Sequence, residues 1–212
     1  MANYYESSDD GYIFYSGGSY SSTVDYDEVG SNYIIQAQWS DALGTYAPEW
    51  QRRACKRFIL GLSASVTVSE AILYWYLHDI PVNSAQKSCN LEQINDYLTL
   101  AAADWGITVK KDYGACMTYN QAAGWISQDV TTEIEASKTD AYVAFRWRIA
   151  TIPTGDTGQT FRIRAYEDTS YKAYLAITYT TGWAHKRDGT ANASIAKIDG
   201  TAKASIAKID GT

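Results

Sequence analysis

Residues 142–149 read YVAFRWRI, in which the apolar Val143, Phe145, Trp147 and Ile149 occupy every second position. A period of two is that of a β-strand with one set of side chains on a core face and the other set in water. Residues 160–166, TFRIRAY, repeat this pattern, and so do residues 130–135, VTTEIE. These segments predict three half-buried strands.

Further strands are indicated elsewhere. Residues 71–77, AILYWYL, and 172–181, KAYLAITYTT, are rich in β-branched and aromatic residues, which is typical of strands buried on both faces. Residues 11–20, GYIFYSGGSY, predict two strands joined by a Gly-Gly turn. Residues 90–103 differ, because Leu91, Ile94, Leu98 and Ala101 have helical spacing, although a strand at 97–101 fits as well. The predicted fold is an all-β antiparallel sandwich, of which the jelly roll is one form.

The end of the chain has a different character. ANASIAKIDGT at 191–201 is followed by AKASIAKIDGT at 202–212, and Asp-Gly pairs at 199–200 and 210–211 favour short strands joined by tight turns. The spacing of the isoleucines also suits an 11-residue helical repeat; they are Ile195, Ile198, Ile206 and Ile209. Two such strands bury no core of their own, so we expect them to dock on this chain or on a neighbouring copy. We therefore divide the chain into a sandwich domain, 1–182, and a repeat tail, 183–212.

Composition argues against several classes of protein. With 46% hydrophobic and 20% charged residues the chain has material for a core, and its net charge of −6 argues against a dedicated nucleic-acid binder. No apolar run approaches the roughly 18–20 residues of a membrane span. His78 and His185 have no companions at the spacing of a catalytic motif. We predict no enzyme activity and no cofactor apart from a structural calcium ion.

Three cysteines, Cys55, Cys89 and Cys116, stand at wide spacings. An odd number argues against a disulfide framework, so three buried thiols are expected. One bridge within the chain, or a link to a neighbouring subunit, is the alternative.

Arginines occupy the wet positions of two predicted strands. If these strands are neighbours, the four guanidiniums form one face that binds sulfate, carboxylate or acidic sugars. The residues of this predicted ligand surface are Tyr142, Arg146, Arg148, Arg162, Arg164 and Tyr166. The alternative is an ordinary solvated face on which the arginines pair with Glu133 and Glu135.

Two further candidate sites depend on residue type. Asp25, Asp27 and Glu28 supply the oxygen ligands that calcium prefers, with a solvated acidic loop as the alternative. Tryptophans near turn signals either stack on sugar rings or fill the core; they are Trp39, Trp50, Trp105, Trp125 and Trp183.

Several segments resemble DNRLRE-type domains, a family of jelly-roll sandwiches similar to carbohydrate-binding modules. In order they are DGYIFYSGG from residue 10, RRACKRFILGL at 52–62, SEAILYWYL at 69–77, GWISQDVTTEIEA at 124–136 and FRIRAYEDTSYKAYLAITYTT at 161–181. The family pattern Arg-x-Phe-x-x-Phe-Asp is altered, since residues 55–60 read CKRFIL, so no role of its Asp carries over. The resemblance implies a protein of cell surfaces, secretions or virions. The SIAKIDGT tail resembles repeats at the ends of phage and other surface proteins.

These observations favour a non-enzymatic structural protein that assembles outside a cell, as a virion decoration, a fibre component or a surface filament subunit. Residues 1–50 carry eight acidic side chains and no Lys or Arg, so they complement the net positive tail of an adjacent copy. The expected partners are further copies of the chain, in an oligomer or polymer, and a glycan. The alternative function is a monomeric carbohydrate-binding or adhesion module. Residues 1–10 lack the basic and apolar regions of a secretory leader, so we expect either a leader outside this numbering or another route of export.

Overall fold

The structure is a computed structural model that describes residues 1–5, 11–16, 19–24, 34–40, 50–82, 85–97, 100–150, 158–165, 168, 170–181, 197–198 and 201–202. Its strands are β1 (Ala2–Tyr5), β2 (Gly11–Ser16), β3 (Ser19–Val24), β4 (Ile34–Ser40), β5 (Trp50–Ile59), β6 (Val66–Val82), β7 (Cys89–Ile94), β8 (Val109–Met117), β9 (Gly124–Asp129), β10 (Tyr142–Ile149), β11 (Gly158–Arg164), β12 (Tyr174–Thr181), β13 (Lys197–Ile198) and β14 (Thr201–Ala202). A 3-10 helix spans Ala102–Gly106, and helix α1 spans Thr131–Ser137. Within these ranges no helix is long and apolar enough to cross a membrane.

Strands β1 to β12 form one antiparallel sheet, whose main path runs β1-β12-β6-β11-β4-β5-β10-β7-β8. Strand β2 pairs with β3 and β5, and β9 pairs with β6. In the β2–β3 hairpin Ser16 lies opposite Ser19, which confirms the hairpin predicted from the Gly-Gly signal. The small sheet β13–β14 is separate, with Ile198 opposite Thr201.

The large sheet folds back on itself around a single main core. Trp75 of β6 and Trp147 of β10 meet edge to face, with ring centroids 5.5 Å apart, and both rings are fully buried. Because β11, β4 and β5 lie between these strands in the sheet, the two rings meet across the core. The prediction of an all-β antiparallel sandwich is confirmed, whereas the jelly-roll form and the boundary at residue 182 stay predictions.

Strand β6 presents two different faces. Ala71, Leu73, Trp75 and Leu77 are buried in the core, whereas Ile72, Tyr74 and Tyr76 are only half-buried. The prediction that residues 71–77 are buried on both faces was therefore wrong. The apolar and aromatic residues at 72, 74 and 76 predict that the second face of the strand is covered, whereas in the described structure that face is partly exposed.

Residues 130–135 form no strand, contrary to the prediction. Val130, which directly precedes α1, and Ile134 and Ser137 within it are buried at spacings of four and three, which is helical periodicity, and Val130 and Ile134 belong to the main core. The helix also satisfies the backbone of β6 beyond the end of β9. The Thr131 hydroxyl oxygen accepts the Ala71 N–H at 2.9 Å, and Glu135 Oε2 accepts the Val68 N–H at 2.8 Å.

For residues 90–103 the sequence predicts a helix, or a strand at 97–101, and the described residues contradict both: 90–94 belong to a strand, and 97, 100 and 101 belong to none. The segment begins as β7, which pairs with β10 and β8. Leu91 faces the main core, whereas Ile94, three residues later, faces the opposite side. A spacing of three that resembled a helix is thus that of a strand buried on both faces.

A second apolar cluster covers the outer face of β5, β10 and β7. It contains Ile13, Cys55, Ile94, Tyr97, Leu100 and Ala144, with Trp105 and Ile107 packed against it. Polar groups in this layer pair with one another. Arg146 donates to Glu92 Oε2 from Nε at 2.8 Å and from Nη2 at 2.6 Å, and Arg148 Nε donates to Oε1 at 2.6 Å. Glu92 is 2% exposed, so its carboxylate is hydrogen-bonded to two guanidinium groups in place of solvent.

We expect Glu92→Ala to lower the free energy of unfolding by about 3–5 kcal/mol, because it leaves a buried guanidinium without its counter-charge. Urea denaturation followed by tryptophan fluorescence measures the change.

Lys110→Ala is the matched control. It removes an ion pair with Asp140 at 3.5 Å in which both side chains are more than one-third exposed, so it costs less than about 1 kcal/mol. Equal urea midpoints for the two variants would contradict a structural role for Glu92.

Candidate functional site

Five aromatic residues gather on the outer face of the β9–β6–β12 region. We call them the aromatic platform: Tyr74, Tyr76, Trp125, Tyr171 and Tyr174. Their grouping follows from strand register, because Tyr76 lies opposite Trp125 and Tyr74 lies opposite Tyr174. Since Leu73, Trp75 and Leu77 point into the core, the alternation of β6 turns Tyr74 and Tyr76 outward.

The rings of the platform hold one another in place. Tyr76 meets Trp125 edge to face at 5.5 Å between centroids and Tyr171 at 4.2 Å. Tyr74 stacks on Tyr174 at 4.9 Å with 15° between the ring planes. Trp125 remains 45% exposed and Tyr171 36% exposed. The platform therefore offers rigid ring surface to solvent.

Tyr171 reaches the platform because the chain leaves the edge of β6 between β11 and β12. Both strands pair with β6 in succession, β11 up to Ile163 opposite Leu77 and β12 from Tyr174 opposite Tyr74. Asp168, which lies between them, accepts the N–H groups of Ser170 at 2.9 Å and Tyr171 at 3.0 Å through Oδ1. These two bonds fix the turn that presents the Tyr171 ring.

Charged side chains border the platform in opposite-sign pairs. Arg164 Nη1 lies 3.1 Å from Asp168 Oδ2, and its guanidinium lies 5.7 Å from the centre of the Tyr171 ring. Arg162 Nη1 lies 3.5 Å from Asp79 Oδ2. Two arginines and two aspartates cancel in charge while presenting both N–H donors and carboxylate acceptors.

His78 continues the outward-facing row of Tyr74 and Tyr76 on β6. Partial burial lowers the pKa of its imidazole, and Arg164 and Arg162 lower it further, against the opposing effect of Asp79. His78 therefore favours the neutral form, with one N–H donor and one acceptor.

The structure separates the four arginines predicted to share a face. Arg162 and Arg164 of β11 border the platform, whereas Arg146 and Arg148 of β10 contact Glu92, because β4 and β5 lie between β10 and β11. Arg146 is 3% exposed.

The other residues of the predicted surface have separate places. The Arg57 guanidinium lies over the Tyr142 ring, 3.5 Å from the centre of that ring. Tyr166 lies outside the described residues. The two carboxylates that the alternative interpretation paired with these arginines lie beside lysines instead. Glu133 lies 3.9 Å from Lys111, and Glu135 pairs with Lys138.

Of the five tryptophans predicted either to stack on sugar rings or to fill the core, Trp125 is the one whose described side chain belongs to the aromatic platform. Trp105 is half-buried, and the Arg53 guanidinium lies over it, 3.9 Å from the centre of the indole ring. Burial and the nearby charge of Arg146 lower the pKa of Arg53 to about 10. Trp39 and Trp50 lie in β4 and β5, but their side chains are outside the description, as is Trp183 altogether. Sequence reasoning missed Tyr74, Tyr76, Tyr171 and Tyr174, although alternation within AILYWYL pointed to the first two.

The remaining predicted sites are largely outside the description. Asp25, Asp27 and Glu28, the predicted calcium ligands, lie outside the described residues, as do Ile195, Ile206 and Ile209 of the tail. Ile198 lies in β13. Across the described part of the chain, no three His, Cys, Asp or Glu side chains are grouped as metal ligands.

We expect the His78 imidazole to titrate below its usual pKa of 6.5, because burial and the two nearby arginines disfavour its charged form. The unfolded chain then binds the proton more readily, so this group costs stability as pH falls below 6.5. NMR titration of the imidazole protons measures the midpoint.

The chain has 2 histidines, so the imidazole signal that disappears in His78→Gln is that of His78. We also expect this variant to lose less stability on acidification than the parent chain does. A His78 midpoint at or above 6.5 would contradict the described surroundings.

No protein-family model matches this sequence, and no curated protein matches it either, so the function of the chain is inferred from the site itself.

Proposed function

We propose that this protein is a non-catalytic carbohydrate-binding module that holds a neutral sugar on the aromatic platform. The observation that carries the proposal is the pair of exposed rings, Trp125 and Tyr171, beside the Arg164–Asp168 pair. Scattered apolar side chains are ordinary on protein surfaces, but a contiguous aromatic patch with a polar border is typical of a binding site.

The aromatic platform suits a sugar ring for two reasons. Trp125 and Tyr171 offer apolar faces on which the C–H face of a pyranose can stack. Contacts with Tyr76 already restrict both rings, so little side-chain freedom is lost on binding.

The charges favour a neutral sugar over an acidic one. Arg164 and Arg162 are accompanied by Asp168 and Asp79, so an anionic ligand meets as many carboxylates as guanidiniums among the described residues. Neutral hydroxyls, in contrast, donate to the carboxylates and accept from the arginines. This preference differs from the acidic-sugar ligand expected for four unpaired arginines.

The predicted resemblance to DNRLRE-type domains, which no family model matches, agrees with the same proposal. Tyr74 and Tyr76 lie in the segment 69–77, Trp125 in 124–136, and Tyr171 and Tyr174 in 161–181, which are three of the segments that carry the likeness. An extracellular or virion-surface location accords with a glycan ligand and is part of the proposal.

We expect the full chain to bind immobilised neutral glycans, and Trp125→Ala or Tyr171→Ala to weaken binding about 30-fold, the equivalent of about 2 kcal/mol for a central contact residue. A glycan array identifies the ligand, and isothermal titration calorimetry measures the affinities.

Ile59→Ala is the matched control, since Ile59 is a 56% exposed apolar side chain on β5, away from the platform, and this variant should bind as the parent does. Unchanged affinity in both platform variants, or no binding to any glycan, would overturn the proposal.

Self-assembly through the tail is a second candidate function, favoured by the small sheet β13–β14. Its two strands pair with each other and not with a described strand of the large sheet. The segment KIDGT at 197–201, which covers most of this hairpin, occurs again at 208–212. A short strand pair that joins no described strand of the large sheet is suited to add to the sheet of a neighbouring copy.

Deletion of residues 183–212 should reduce an assembly of the full chain to monomers while the sandwich stays folded. Light scattering over a dilution series measures the mass, with 23.5 kDa expected for a monomer of the full chain. Circular dichroism checks that the truncated chain is folded, and an assembly that survives the deletion would contradict the role of the tail.

A further inference from the structure

Two of the three cysteines lie side by side on neighbouring strands. In the β7–β8 pair Cys89 lies opposite Met117 and Asn90 lies opposite Ala115, so Cys116 is the extra residue of a β-bulge. A bulge sets two successive residues against one partner and interrupts the alternation that would otherwise turn Cys116 away. The Cys116 thiol accordingly points at Cys89, with Sγ 3.3 Å from the Cys89 carbonyl oxygen.

Both thiols face the same core. Cys89 is fully buried in the main cluster, and Cys116, which is half-buried, packs against that cluster. Burial raises the pKa of the Cys89 thiol, and its contact with the Cys116 thiol raises it further. Cys116 is therefore the thiol that solvent reaches first, and Cys89 lies behind it.

Cys55 lies apart from this pair of cysteines. It belongs to the second apolar cluster on the other face of the sheet, and burial raises its pKa to about 12. Since its side chain is fully buried in a different cluster from the other two thiols, Cys55 provides an internal reference for them.

We propose that Cys89 and Cys116 are a disulfide-forming pair, a modification site for thiol–disulfide exchange with a low-molecular-weight disulfide such as oxidised glutathione. Cys116 stands next to Met117, the residue that pairs directly with Cys89, and its Sγ lies 3.3 Å from the Cys89 carbonyl oxygen. The two cysteines are therefore neighbours across the strands, and a disulfide joins residues whose Cα atoms are about 4.4–6.8 Å apart.

The exchange proceeds in two steps. The Cys116 thiolate attacks one sulfur of oxidised glutathione, whose S–S bond breaks to give a mixed disulfide and one glutathione thiolate. Cys89 transfers its proton to that thiolate and attacks the Cys116 sulfur, which releases the second glutathione. Two protein thiols are thus oxidised to one disulfide, and oxidised glutathione is reduced to two thiols.

The product is a covalent link across the bulge of β8, the last strand in the main path of the sheet. It joins residues 27 positions apart in the sequence and holds the end of that strand to β7. Because Cys89 must lose its proton, ring closure should accelerate as pH rises.

The test incubates the folded full chain in glutathione buffers of increasing oxidised fraction, quenches with acid, unfolds the protein and alkylates the remaining thiols. We expect one alkylated thiol per chain, at Cys55, in place of three, and a linked pair of peptides containing Cys89 and Cys116 in the mass spectrum. Cys55→Ser should form the same linked pair, and Cys89→Ser should stop at a glutathione adduct on Cys116.

Three alkylated thiols in the most oxidising buffer would overturn the proposal. So would a lasting glutathione adduct on Cys116 in the parent chain, or a Cys116 bridge between two chains on a non-reducing gel. Circular dichroism of Cys89→Ser checks folding, and Cys89→Ala serves as the second variant if serine is not tolerated in the core.

Discussion

The contact between Trp75 and Trp147 is the constraint on which the rest of the structure depends. It joins two strands that are far apart in the sheet, so the sheet has to fold over and enclose a core between its two parts. Both rings are fully buried, and large buried aromatics contribute much of the apolar area removed from water. The position of Trp75 also decides which side chains of β6 face outward.

The aromatic platform follows from this choice of faces. With Leu73, Trp75 and Leu77 inside, Tyr74 and Tyr76 have to lie on the surface, where register sets them opposite Tyr174 and Trp125. A shift of one residue in pairing would exchange the two faces, so the core that stabilises the fold also holds the candidate binding surface in register. Binding and stability therefore share one strand while using opposite sides of it.

The β5–β10–β7 region shows the opposite outcome for a similar sequence pattern. Alternating arginines in β10 resemble a solvated face, yet Tyr97, Leu100, Trp105 and Ile107 belong to the cluster that covers this face. Arg146 is buried there against Glu92 and the Trp105 carbonyl oxygen. Arg146 and Arg148 thus serve the fold, whereas Arg162 and Arg164, which have the same spacing in sequence, border the platform. What distinguishes them is the segment that packs on top.

The sequence by itself determined the strands β10 and β11, the β2–β3 hairpin and the all-β class, because these depend on residues close together in the chain. Its prediction of a half-buried β10 was wrong, since Ala144 and Arg146 on the expected wet face are buried. It misassigned α1 and β7, whose short apolar patterns fit two periodicities. Only the tertiary structure decided which polar strand face is covered, that Tyr171 joins Tyr76 and Trp125, and that a bulge brings Cys116 to Cys89. Those outcomes depend on strand pairing between distant segments, and one chain's residue pattern does not encode which partners meet.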